Sequence, residues 1–136
     1  MIVIGRILLC LAVVTILALP TVNCYSVDVY YDPSIGDYLV DENGMTLYYF
    51  NNDDNENEAS NCYGRCAETW MPFYVEVESM YLPDRLSIYD FFTTRRADGE
   101  FQTTYKGWPL YLYINDINAG DINGQGIDYA WYAMRP

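Results

Sequence analysis

Short runs of apolar and aromatic residues alternate with turn-forming residues along the chain after residue 24. The runs cover residues 27–31, 38–41 and 45–50 in the first half, and about 89–94, 101–105 and 110–114 in the second half. Tyr, Phe, Val and Thr dominate the runs, and these residues favour half-buried pleated strands. The pattern therefore predicts an all-β fold, with further strands over 73–77 and 129–134 and one short helical turn over 67–70.

The strand pattern occurs twice. Residues 44–53 and 107–116 both read G-x-x-L-Y-x-aromatic-x-N-D, and their offset of 63 also aligns Gly36 with Gly99 and Tyr38 with Phe101. A repeat of this length indicates one supersecondary unit made twice. The chain therefore predicts a single β domain over 25–136, built from two pseudo-repeated β-meanders at about 27–77 and 86–134. We expect the two meanders to pack as a small sandwich or a flattened barrel.

The two copies differ in the turn between their second and third strands. Asn43-Gly44 in copy one is the strongest short signal for a hairpin turn in which both residues take positive φ. Lys106-Gly107 stands at the matching place in copy two and predicts the same turn less strongly. Pro109 has no N–H to donate, so we expect it at a strand start or a sheet edge.

The first 24 residues have the layout of a secretory signal. Residues 1–6 carry one basic side chain, Arg6, and residues 7–19 are almost wholly apolar before Pro20. The apolar run is shorter than the ~20 residues that a spanning helix needs, which favours a signal helix over 1–24 against an uncleaved anchor. Cys24 stands where a lipoprotein carries its lipid, although Asn23 before it is larger than usual, and cleavage after Cys24 is the alternative. We therefore predict an extracytoplasmic protein, secreted or at the cell surface, that touches a membrane only through its signal or a lipid on Cys24.

Charge and composition exclude several classes of function. The net charge is −12, and removal of residues 1–24 takes away one basic residue and no acidic one, which leaves −13. Such a charge argues against nucleic acid and anionic membrane surfaces as partners. The chain has no histidine, so histidine triads, histidine metal sites and haem attachment through C-x-x-C-H are excluded. We predict no cofactor, and an extracellular protein or a glycan remains open as the partner.

Two cysteines, Cys62 and Cys66, fall in the predicted exported domain. In an oxidising compartment a C-x3-C pair is expected to close a small disulfide loop, and Gly64 between them can supply the tight turn. The alternative is a redox-active dithiol, although that chemistry usually uses a C-x-x-C spacing.

Tyr48 with Asp53 and Tyr111 with Asp116 share the spacing Y-x4-D. In that context the chain resembles a family of secreted bacterial and archaeal lipoproteins built from repeats of unknown function. The resemblance covers about residues 36–134, including the segments 38–41, 62–70, 98–99, 102–111 and 131–132. It implies export, often with a lipid anchor, and it implies no chemistry. The four signature residues are candidates for a structural role or for lining a ligand site.

Two further groups of residues are candidates for binding. The tryptophans Trp70, Trp108 and Trp131 could contribute to an aromatic binding surface, because aromatic side chains are well suited to interfaces. Oxygen-bearing side chains at alternate positions resemble the start of a calcium loop. These weak calcium candidates are Asp53, Asn55, Asn57, Asp121 and Asn123.

No arrangement of residues predicts catalysis, so no catalytic residue is assigned. The sequence favours a non-catalytic exported module that binds or assembles through aromatic surface. The alternative is an extracytoplasmic redox or electron-transfer accessory that uses Cys62, Cys66 and the nearby tyrosines and tryptophans.

Overall fold

The structure, a computed structural model, describes residues 24–136. The predicted signal lies outside the described residues except for Cys24. Within residues 24–136 no helix is long and apolar enough to cross a membrane. The same range contains nine strands and one short α-helix, so the predicted all-β fold is confirmed.

The strands follow the two copies along the chain. Copy one provides β1 (Val27–Asp32), β2 (Gly36–Asp41), β3 (Tyr48–Phe50), the helix α1 (Arg65–Thr69) and β4 (Trp70–Pro72). Copy two provides β5 (Phe91–Arg95), β6 (Phe101–Tyr105), β7 (Trp108–Pro109), β8 (Tyr111–Tyr113) and β9 (Trp131–Ala133). Single turns of 3-10 helix cover Val77–Ser79, Ile88–Asp90 and Ile127–Tyr129.

Three antiparallel sheets are formed within the described residues, and they do not close into a barrel. β1 and β2 form a hairpin, and β5, β6 and β7 form a sheet with β7, and hence Pro109, at its edge. The central sheet has the order β4-β8-β3-β9 and mixes the copies. β3 and β8 meet at Tyr48 and Tyr111, while β4 pairs with β8 and β9 pairs with β3. The last strand of each copy, β4 or β9, therefore pairs with the strand of the other copy that carries the signature tyrosine, β8 or β3. A pseudo-twofold axis passes between the two tyrosines.

The strand predicted over 73–77 is wrong, because the regular pairing ends at Pro72. Beyond it, the N–H of Phe73 donates to Leu110 at 2.9 Å, and its carbonyl accepts from Thr103 at 2.8 Å. The backbone here divides its hydrogen bonds between two elements, so no regular ladder continues.

The offset of 63 between the two copies holds for β3 and β8 but not for the first two strands of each copy. In the first two strands, Val27 pairs with Asp41 in copy one and Phe91 pairs with Tyr105 in copy two, which is an offset of 64. The extra residue of copy one lies in its hairpin loop. The predicted alignment of the first two strands is therefore wrong by one residue, a shift that would move every side chain to the opposite face.

The hairpin turns are distributed in the opposite way to the prediction. In the turn between β2 and β3 of copy one, Gly44 has positive φ, at 76°, and its N–H donates to the carbonyl of Asp41 at 3.0 Å, whereas Asn43 does not take positive φ. In copy two both Lys106 (φ 49°) and Gly107 (φ 87°) do so. The loop of copy one is one residue longer, and a longer loop needs a left-handed residue at only one position.

Two clusters of buried side chains form the core. One is mainly aliphatic and lies between the two hairpins and the chain end; it contains Val27, Leu39, Leu47, Phe73, Leu86, Phe91, Tyr105, Leu110 and Met134. The other surrounds the pseudo-twofold axis and is rich in aromatic rings; it contains Tyr38, Val40, Tyr48, Cys62, Trp70, Tyr111, Ala130, Trp131 and Ala133.

Candidate functional site

The four signature residues meet at the pseudo-twofold axis in two crossed pairs. The hydroxyl of Tyr48 donates to Asp116 Oδ2 at 2.6 Å, and the hydroxyl of Tyr111 donates to Asp53 Oδ2 at 2.7 Å. Each tyrosine therefore uses the aspartate of the other copy, and not the aspartate five residues after it. All four residues are buried, which favours the structural role.

Each aspartate is held in place by the loop that follows it. Asp53 Oδ1 accepts from the backbone N–H of Asn61 at 2.6 Å, and Asp116 Oδ1 accepts from that of Asn123 at 2.9 Å. The side-chain amides of the two asparagines donate to the carbonyl of the residue before each aspartate, at 2.7 and 3.2 Å. The carboxylates thus order the loops and receive the tyrosines at the same time.

Burial raises the pKa of both aspartates above the ordinary carboxyl value. The hydrogen bonds to each carboxylate oppose this rise, and for Asp53 the positive charge of Arg96 opposes it as well. No cation of residues 24–136 lowers the pKa of Asp116, and the neighbouring Asp121 raises that pKa further. Burial, followed by the partner carboxylate, raises the pKa of both tyrosine hydroxyls, so the tyrosines remain proton donors to the aspartates.

A buried arginine stands beside only one of the two pairs. Arg96 donates to Ser60 Oγ at 2.9 Å, to Gln102 Oε1 at 2.7 Å and to the carbonyl of Cys62 at 2.7 Å. Ser60 Oγ in turn shares a 2.7 Å hydrogen bond with the hydroxyl of Tyr111. The cation therefore reaches the Tyr111–Asp53 pair through one hydroxyl, and it partly balances a buried negative charge.

The predicted disulfide between Cys62 and Cys66 is confirmed, with an S–S distance of 2.05 Å and Cα atoms 5.3 Å apart. Gly64 takes φ 57° and reverses the chain just before α1, so the bond joins the end of the loop to the first turn of the helix. Cys62 is fully buried in the aromatic cluster.

Four aromatic rings are stacked across the axis, in the order Tyr113, Trp70, Trp131 and Phe50. The centroid distances between successive rings are 4.3, 4.0 and 4.3 Å, and the two indoles are parallel to within 1°. The rings come alternately from copy two and copy one. The pseudo-twofold axis relates Trp70 to Trp131 and Phe50 to Tyr113, which lie in the paired strands. The buried tyrosines of the signature pack edge-on against the indoles from below, at 5.4 and 5.1 Å.

The stack forms one wall of a cleft that we call the axial cleft, with a volume of about 520 Å³. Most of its lining falls into pairs related by the axis, with α1 of copy one opposite the 3-10 turn of copy two. Asp128 and Tyr129 in that turn have φ of 54° and 53°, which is rare and costly for residues other than glycine. The lining consists of Phe50, Asn52, Cys66, Thr69, Trp70, Tyr113, Ile127, Asp128, Ala130 and Trp131.

The indole N–H groups of Trp70 and Trp131 have no hydrogen-bond acceptor among the described residues. No buried side-chain nitrogen or oxygen in that part of the chain lacks a partner, so both N–H groups must keep contact with solvent. Both side chains line the axial cleft. Asn52, Thr69 and Asp128 line the same cleft and bring side-chain oxygens to it.

The predicted aromatic binding surface is divided between two places. Trp70 and Trp131 are 5% and 3% exposed and reach solvent only at the margins of the stack. Trp108 is half-buried and lies against Tyr49, with ring centroids 5.0 Å apart, outside the cleft. The use of these tryptophans in binding stays a prediction.

Two of the calcium candidates, Asp53 and Asp121, already accept hydrogen bonds from the protein. Asp53 is occupied by Tyr111 and Asn61, and Asp121 Oδ2 accepts from two backbone N–H groups of its own loop at 2.9 and 2.8 Å. No group of three or more acidic or cysteine side chains in residues 24–136 could hold a metal ion. Calcium binding by Asp53, Asn55, Asn57, Asp121 and Asn123 stays a prediction.

Residues 31–74 and residues 92–135 each match the same family, described as a secreted repeat of unknown function. The chain belongs to this family of secreted repeats. The two matches fall on the two copies, so the resemblance to a repeated secreted family is confirmed. No curated protein matches the chain, and no solved structure matches it. A disulfide fits the extracellular setting that the name secreted repeat gives, while nothing in that description supports a redox role for Cys62 and Cys66.

Several residues of the site escape sequence reasoning. Arg96 and Gln102 lie six residues apart and form a buried network with Ser60, which lies 36 residues before Arg96, and no local pattern marks them. Asn61 and Asn123 carry a weak signal, because each follows its aspartate within eight residues in both secreted repeats.

Proposed function

We propose that this secreted repeat protein is a non-catalytic binding module that holds a neutral carbohydrate in the axial cleft. A signal over residues 1–24 would export it, and binding would take place outside the cytoplasm. The observation that carries the proposal is the pair of indole N–H groups, of Trp70 and Trp131, left without acceptors beside four stacked rings.

The chemistry of the cleft suits a polyhydroxylated ligand. Sugar hydroxyls can accept from the two indole N–H groups and donate to Asp128 and Asn52, while their C–H groups pack on Phe50 and Tyr113. A volume of about 520 Å³ is in the range of known small-molecule sites. Asp128 lines the cleft in a left-handed conformation, and backbone conformations of this kind cluster at ligand sites.

Electrostatics favours a neutral ligand over an acidic one. The cleft is lined by one carboxylate and by no lysine or arginine. The whole chain carries a net charge of −12, which repels anions at long range. An acidic polysaccharide would therefore be repelled from the cleft and would find no cation there.

The same lining supports a non-catalytic role. Glycoside hydrolases commonly use two carboxylic acids on opposite sides of the scissile bond. Asp128 is the single carboxylate among the residues that line the axial cleft. Bound sugar would therefore be released unchanged.

Calorimetric titration of the exported protein with cellopentaose, chitopentaose, mannopentaose and oligogalacturonate tests this proposal. We expect at least one neutral oligosaccharide to bind and the acidic one not to bind. Trp131→Phe keeps a ring in the stack and deletes one N–H, so it should weaken binding about tenfold. Trp108→Phe is the matched control, because Trp108 lies outside the cleft.

The proposal fails if none of the neutral sugars binds, or if Trp108→Phe weakens binding as much as Trp131→Phe. Chromatography of the sugar after prolonged incubation should recover it intact.

Mass spectrometry of the exported protein would also separate cleavage after Cys24 from attachment of a lipid to it.

A further inference from the structure

The outer edge of β5 has unused hydrogen-bonding groups. The carbonyl of Asp90 accepts from the N–H of Lys106, and the N–H of Arg96 donates to the carbonyl of Glu100, each at 2.8 Å. The backbone N–H and C=O groups of the even-numbered residues of β5 therefore point towards β6. The alternation of an antiparallel ladder then directs the N–H and C=O of Thr93 and Arg95 away from β6. Within residues 24–136 these backbone groups have no partner.

An apolar groove of about 470 Å³ runs beside this edge. Its lining consists of Val77, Glu78 and Met80 together with Ile88, Tyr89, Phe91, Phe92 and Thr93. Tyr89 and Phe92 are 85% and 52% exposed there. An open strand edge flanked by exposed aromatic side chains is a site at which another strand can be added.

The charges at the two ends of the edge are opposite. Arg95 is exposed at the end of β5, and Glu78 is exposed in the groove near its beginning. Neither has an ion-pair partner among the described residues. A strand that runs antiparallel to β5 and carries a cation at its own end would bring that cation to Glu78.

We propose that the occupant of this edge is the β5 strand of a second copy of the chain. With Thr93 opposite Thr93 of the second copy, the two residues exchange both hydrogen bonds. Arg95 of each copy then lies opposite Phe91 of the other, beside Glu78. The product is one continuous sheet of six strands, in which Phe92 is covered and the two Arg95–Glu78 pairs fix the antiparallel register.

The mass of the exported protein in solution tests this dimer, by light scattering on size-exclusion fractions over a range of concentrations. We expect the mass to rise to that of two chains. Arg95→Glu and Glu78→Arg should each raise the dissociation constant at least about tenfold, because each places like charges together. The combined exchange, Glu78→Arg with Arg95→Glu, should restore it.

Two controls keep the result interpretable. Arg65→Glu makes the same change of net charge on α1 and should leave the dimer intact. Thr93→Pro removes the outward N–H and should abolish the dimer, while Thr93→Val should not, with far-ultraviolet circular dichroism to show that both variants fold. A protein that stays monomeric, or a charge exchange that does not restore association, would overturn the proposal without affecting sugar binding in the axial cleft.

Discussion

At the scale of single residues, each copy of the signature Y-x4-D supplies a tyrosine and an aspartate that bond to the aspartate and the tyrosine of the other copy. The hydroxyls of Tyr48 and Tyr111 are buried and must be hydrogen-bonded. The carboxylates of Asp116 and Asp53 are buried as well and accept those hydrogen bonds. A buried polar group left without its partner costs about 1–3 kcal/mol. Because each donor finds its acceptor in the other copy, the pairs hold the two repeats together as well as ordering their loops.

A double-mutant cycle tests the crossed pairing. Tyr48→Phe and Asp116→Asn should each destabilise the protein, with a coupling energy between them of about 1–2 kcal/mol in denaturant unfolding. The matched cycle of Tyr48→Phe with Asp53→Asn, which lies within one copy, should show coupling close to zero. A larger coupling within the copy than between the copies would contradict the exchange.

The buried aspartates also predict how stability depends on pH. Burial raises the folded pKa of Asp53 and Asp116 above the unfolded value of 3.8, so the folded state holds the protons more tightly. The stability that this contributes is fully present below pH 3.8 and is lost as the pH rises through the folded pKa values. The free energy of unfolding of the wild type, relative to Asp53→Asn/Asp116→Asn, should therefore fall as the pH rises from 3.8 through the folded pKa values. A difference in unfolding free energy that stays constant or increases with pH would show that the pKa values of the two carboxyl groups are not raised.

At the scale of elements, a difference of one residue in loop length decides which turn each hairpin forms. The loop between β2 and β3 places Gly44 alone in the left-handed region, while the two-residue loop between β6 and β7 needs Lys106 and Gly107 there together. The local dipeptide signal at Asn43-Gly44 was therefore a correct indicator of a turn but not of its type. Loop length is fixed by where the flanking strands pair, and that is a property of the sheet.

Gly107 and Gly99 separate the conformational cost from the packing cost of a side chain. Both have φ near 90°, at 87° and 90°. A Cβ on Gly107 would overlap the carbonyl oxygen of Asn55, whereas nothing lies near one on Gly99. We expect Gly99→Ala to cost about 1 kcal/mol and Gly107→Ala clearly more in thermal or denaturant unfolding. Equal losses would show that the backbone at Asn55 does not pack on this turn.

At the scale of the whole molecule, we expect the copies to form one folding unit because their strands are exchanged in the central sheet. β3 lies between β8 and β9 of the other copy, and β4 pairs only with β8. Neither copy alone can complete this sheet, the crossed pairs or the aromatic stack. The pseudo-twofold symmetry also places the axial cleft where the two copies meet.

Fragments of the chain test this interdependence. Residues 25–85 and 86–136, prepared separately, should lack the near-ultraviolet circular dichroism of packed aromatic rings. Mixed in equal amounts, they should recover it, since β3 and β8 then regain their partners. Recovery of the signal by either fragment alone would show that a single copy is sufficient to fold.

The sequence by itself determined that the chain is all-β, that it is made of two copies, and that Cys62 and Cys66 are joined, because strand preference, repetition and a short cysteine spacing are local properties. Tertiary structure alone decided the one-residue shift between the first strands, the exchange of Tyr48 and Tyr111 between copies, and the burial of Arg96. The exchange joins residues 58 and 68 positions apart, and Arg96 bonds to residues 34 and 36 positions away. The shift depends on how the hairpin strands pair in the sheet, so none of these features leaves a mark in the local pattern. The stacking of Trp70 on Trp131 follows from the same exchange, and it is the reason why the cleft lies on the axis.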